Sequence, residues 1–93
     1  MSDSNPLLPP PTFEFLVFSL RMQVEQALGL IQLSEEKPEP NTQLAHHFID
    51  LLAMLQEKTK GNLELDEKRL LENSLTELRF RFVQVSEELA KKA

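Results

Sequence analysis

The sequence predicts an all-α protein of three helices, the last two folded back on each other as an antiparallel helical hairpin. Three observations predict it. Apolar residues recur at three- and four-residue steps through stretches at about 13–31, 42–60 and 66–90. All six prolines lie outside those stretches, at 6–11 and 38–40. The last stretch carries a heptad seam over nearly three repeats.

Residues 1–11 hold four of the six prolines, three of them consecutive, and read as an extended arm preceding a single helical domain at 12–93. A Pro-rich ligand for an aromatic groove is the alternative reading of this arm, although no basic residue flanks it. Thr12 is placed to cap the first helix, whose pattern runs Val17, Leu20, Val24, Ala27, Leu28 and Ile31. Gly29 falls before that pattern ends, so the helix either stops there or continues towards Leu33, which places its end at about residue 31. An acidic, proline-containing loop follows near 34–41.

Asn41 or Thr42 then caps a second helix with an apolar stripe at Leu44, Phe48, Leu51, Leu52 and Leu55. It ends near Lys60, because Gly61 and Asn62 tolerate the left-handed conformation beyond a helix end. Lys58 and Lys60 stand where the macrodipole favours cations, so Lys58, Lys60, Gly61 and Asn62 form a turn and helix cap. An anion site is the rival use of this turn, opposed by Glu64, Asp66 and Glu67 at the next helix start. The third helix carries the seam Leu71, Leu75, Leu78, Phe82, Val85 and Leu89. Its octet LRFRFVQV also alternates like a strand, but the heptad enters and leaves it in register.

The 93 residues include 10 basic and 15 acidic side chains, a net charge of −5, and no cysteine. No disulfide or thiolate metal site is available, so the core or a partner chain must hold so short a protein together. The acid excess opposes general nucleic-acid binding, which depends on Lys and Arg displacing counterions. The start MSDSNPLLPPP lacks the basic region and apolar run of a signal peptide, and a cytoplasmic location is the expectation. The stretch 13–33 is long enough to span a bilayer but contains Glu14, Arg21 and Glu25, so no membrane partner is expected.

The first helix is unusual in having two apolar faces. At about 100° per residue, Leu16, Val17, Leu20, Val24, Ala27, Leu28 and Ile31 share a broad face, while Phe15, Phe18 and Met22 form a separate strip. Thirteen of the 21 residues from Phe13 to Leu33 are apolar, and leaving either face in water exposes a patch that soluble monomers seldom carry. Phe80 projects almost opposite the third-helix seam. Phe15, Phe18, Met22 and Phe80 are therefore the candidate interface of a homo-oligomer, most simply a dimer, with an unidentified protein as the other possible partner.

Chemistry is poorly supported. His46 and Asp50 are four apart on one helix side and could supply two metal ligands or a regulatory pair, but no third ligand joins them. They sit opposite the apolar stripe, where an ordinary solvated polar face or helix-surface pair is the favoured reading, and no metal or other cofactor is assigned. Serines are scattered without a Gly-rich elbow and the two glycines build no phosphate loop, so no enzyme activity is expected. Arg79 and Arg81 could make a local nucleic-acid contact, although the basic residues of the third helix form no stripe.

The stretch IDLLAMLQEKTKGNLELDEKRLLENSLTELRFRFV, residues 49–83, together with Phe15, Ser19-Leu20 and Leu28-Gly29, resembles a family of short bacterial proteins known as a domain of unknown function. The KTKGNL turn is its specific part. Members typically have a hydroxyl residue where this chain has Glu64, a poorer cap, and often a tyrosine where it has Phe82. The resemblance implies a small bacterial cytoplasmic helical protein and carries no activity with it.

Overall fold

A computed structural model describes residues 8–31 and 39–92. Most of the arm and most of the acidic loop, residues 1–7 and 32–38, lie outside the described residues. The protein has three helices, α1 (Phe13–Ala27), α2 (Thr42–Lys58) and α3 (Leu65–Lys92), and no strand among the described residues.

Each boundary has a local cause. Thr12 Oγ1 accepts the Phe15 N–H at 3.1 Å and opens α1, and Asn41 Oδ1 accepts the Leu44 N–H at 3.0 Å and opens α2. The end of α1 corrects the sequence expectation, since the helix stops at Ala27 and not near 31. Gly29 takes φ 75°, its N–H donates to the Gln26 carbonyl, and the Leu30 N–H reaches the Glu25 carbonyl at 2.9 Å. That pair of bonds is a Schellman cap, which satisfies the last carbonyls and turns the chain away from the helix axis. Ile31 thus lies outside the helix.

α2 ends at Lys58, two residues before the expected boundary. Thr59 caps it, and the Asn62 N–H closes a turn on the Thr59 carbonyl at 2.9 Å with Gly61 at φ 82°. α3 begins at Leu65 and runs to Lys92, slightly beyond the expected 66–90 at both ends. Glu64 does not cap with its own side chain. The Glu67 carboxylate reaches back to accept the Glu64 N–H at 2.9 Å, one half of a capping box.

The contacts fix the helix directions. Arg21 of α1 meets Glu77 of α3, and Leu28 and Leu30 share a cleft with Val85 and Leu89, so α1 and α3 run the same way. α2 meets α3 in reverse order: His46 lies against Phe82, whereas Gln56 lines a cleft with Leu71. The Asn41 N–H donates to the Ala27 carbonyl at 2.6 Å and ties the start of α2 to the end of α1.

The core consists of Val17, Val24, Ala27 and Leu28, then Ala45, Ile49 and Leu52, then Leu71, Leu75 and Leu78. Two expected apolar faces are corrected by it. On α2 the buried line is Ala45–Ile49–Leu52, rotated from the leucine stripe, while Phe48 and Leu55 are partly buried and Leu44 is 43% exposed. The cause is that α2 is flanked on both sides, so its inward direction lies between α1 and α3, and the small Ala45 allows a close approach there. On α1, Leu16 falls outside the buried face and is exposed.

Leu52→Ala is expected to cost about 2–5 kcal/mol by removing a fully buried side chain, and Leu44→Ala less than about 1 kcal/mol. Urea denaturation of the two variants checks the rotated stripe; equal losses would restore the leucine stripe as the core line.

Candidate functional site

The outer side of α1 keeps apolar surface uncovered, as do scattered positions elsewhere such as Leu44, Met54, Leu65 and Val83. Phe15 is 41% and Phe18 53% exposed, with Met22 partly buried on the same strip. These positions point away from Val17 and Val24, which are completely buried. On α3, Phe80 is 61% exposed and turned away from the fully buried Leu78. The structure therefore leaves Phe15, Phe18 and Phe80 open to water, and Met22 at the edge of it.

Between the α1 strip and Phe80 lies an ion-pair network. The Arg21 guanidinium donates to Glu77 Oε1 at 2.6 Å and to Glu25 Oε2 at 3.4 Å, and it approaches Ser74 Oγ at 3.5 Å. Arg81 stands 3.9 Å from the other Glu77 oxygen. Arg21 is three-quarters buried and Ser74 fully so. Arg21 thus supplies a donor to a hydroxyl that has lost its water, and it holds α1 against α3 at a fixed register. The network joins residues more than fifty positions apart, which composition and periodicity do not reveal. One signal was available: Ser74 sits three residues after Leu71 and one before Leu75, a polar residue within the apolar face.

The other candidates are separated by the fold. His46 Nδ1 lies 3.1 Å from Asp50 Oδ2, and both side chains are more than half exposed. The His46 ring packs at a tilt against Phe82, with centroids 5.6 Å apart, so it extends the α2–α3 contact. His47 instead meets Phe48 edge-on. Among the described residues, no group of three or more His, Asp or Glu side chains is assembled to hold a metal ion.

Lys58 ends α2, and Lys60 and Gly61 line a cleft of about 420 Å³ beneath the turn. The same wall carries Glu57, Lys68 and Glu72 over Leu63 and Leu71, so its charges are mixed and do not select an anion. Asn62 donates its N–H within the turn. Arg79 and Arg81 project to opposite flanks of α3, two residues being about 200° apart on a helix, and Arg81 faces Glu77. They form no common basic surface. No helix among the described residues is long and apolar enough to cross a membrane.

A family model described as Domain of unknown function (DUF1844) matches residues 10–84. The chain belongs to the DUF1844 family. The match takes in α1, α2 and α3 as far as Gln84, and with them Phe15, Phe18, Met22, Phe80 and the whole Arg21 network. Comparison with curated proteins and with solved structures finds no match.

Arg21→Ala is expected to destabilise the fold by about 1–2 kcal/mol, because it leaves the buried Ser74 hydroxyl without its donor. Adding Ser74→Ala should recover part of that loss. A double-mutant cycle by urea denaturation measures the coupling, and strictly additive losses would mean that Arg21 and Ser74 do not interact.

Proposed function

We propose that the protein is a self-associating protein–protein interaction module, most simply a dimer, in which each copy covers the Phe15–Phe18–Met22 strip of another. The helical hairpin of α2 and α3 is the frame that presents α1. The observation that supports this reading is the exposure of Phe15 and Phe18 on a helix whose opposite side is already embedded in the core. A helix in a three-helix bundle needs one apolar stripe, and the second has no role in the fold of a single copy.

Charge leaves this strip open to a second copy. Copies of a chain with net charge −5 repel one another over most of their surface. The outer strip of α1 is nearly free of charge and is the place where like copies meet at least cost. On this reading the module performs no catalysis and acts in the bacterial cytoplasm, the setting that the resemblance of its KTKGNL segment implies.

Light scattering or sedimentation across dilution tests the proposal. At several hundred micromolar the mass should approach twice the 10.7 kDa of one chain, and Phe18→Glu should return it to a single copy with helicity unchanged. A wild-type chain that stays monomeric throughout refutes self-association. A Phe18→Glu variant that stays dimeric places the interface elsewhere.

A further inference from the structure

We infer the geometry of that assembly: a two-fold axis crosses α1 between Phe18 and Ser19, so that α1 packs antiparallel to α1 of a second copy, with α3 lying beside its own counterpart. This rests on the self-association reading and goes beyond it.

Size is the first argument. Covering Phe15 and Phe18, each presenting about half of a roughly 200 Å² side chain, removes only a few hundred Å² over two copies. A stable interface buries roughly 1,200–2,000 Å², so α1 needs help from a neighbouring helix. α3 is that neighbour, held by Arg21 on Glu77 and carrying the exposed Phe80. A two-fold axis in the contact plane and perpendicular to α1 keeps both α3 helices on one side and brings both Phe80 rings to the contact. An axis parallel to α1 sends the α3 helices to opposite flanks and leaves both rings in water.

The centre is also suited to close approach. Ser19 is small, and its hydroxyl already donates to the Phe15 carbonyl at 2.9 Å, so covering it leaves no unmet donor.

Because the chain has no cysteine, single-cysteine variants report the geometry directly. Ser19→Cys places two thiols beside the axis under either orientation. Gln26→Cys, on the same strip, lies seven residues along the helix, so antiparallel packing holds the two thiols roughly 20 Å apart, far beyond the ~4 Å Cβ separation of a disulfide. The measurement is the fraction of each variant that forms a covalent dimer under mild oxidation, with sedimentation of the reduced forms alongside.

The expected result is a dimeric mass for both variants, crosslinking of Ser19→Cys and none of Gln26→Cys. A dimeric mass with both variants crosslinked overturns the antiparallel arrangement in favour of the parallel one. A dimeric mass with neither crosslinked removes α1 from the axis. A monomeric mass refutes the self-association reading itself.

Discussion

A bundle of three helices has one interior, and each helix can turn only part of its circumference towards it. That geometric limit governs this protein. α3 meets it with a single seam through Leu71, Leu75 and Leu78, and α2 meets it with Ala45, Ile49 and Leu52. α1 exceeds it, because it carries Phe15 and Phe18 on the side opposite Val17 and Val24. No rotation of α1 buries both faces in one chain. The rotation adopted buries the branched aliphatic side chains, which pack densely in the narrow interior, and leaves the broad aromatic rings outside.

The Arg21 network makes that choice specific. Hydrophobic burial is non-directional and leaves a helix free to roll by tens of degrees at modest cost. A guanidinium that must reach Glu77, Glu25 and the buried Ser74 hydroxyl at once has little such freedom. Rolling α1 so as to bury Phe18 would break the 2.6 Å contact to Glu77 and strand the Ser74 hydroxyl in a dry interior, where an unmet polar group costs about 1–3 kcal/mol. One polar cluster therefore both registers α1 on α3 and keeps the aromatic strip outward.

The helices themselves were legible in the sequence because a 3.6-residue period is a property of the chain alone. Thr12 and Asn41 as caps and Gly61 beyond α2 follow from local backbone chemistry and could be read directly. Gly29 marked the true end of α1, yet the apolar residues after it prolonged the apparent pattern; Leu30 and Ile31 belong to the cap and the connection, where apolar character carries no helical meaning. The leucine stripe of α2 misled for a different reason. Leucine marks apolar character, while burial depends on where the neighbours stand, and Ala45 between them is an inconspicuous residue at a decisive position. The partners of Arg21 were out of reach, since pairing across more than fifty residues is created only by the fold. Phe15, Phe18 and Phe80 could be identified as surplus because the count of apolar faces exceeded what three helices can cover.

Phe15 and Phe18 lie on the outer side of α1, and the way α1 is connected bears on why they stay there. The Schellman cap at Gly29 and the Asn41-to-Ala27 hydrogen bond fold the chain back at the end of α1, so α2 packs on its inner side. With α2 held there and joined to α3 by a short turn, neither α2 nor that turn crosses over Phe18. α3 flanks the strip without covering it, because the Arg21–Glu77 contact occupies the groove between the two helices. Among the described residues, no element covers Phe15 and Phe18 fully. The exposed aromatic face follows from the same capping and ion-pair geometry that holds the three helices together.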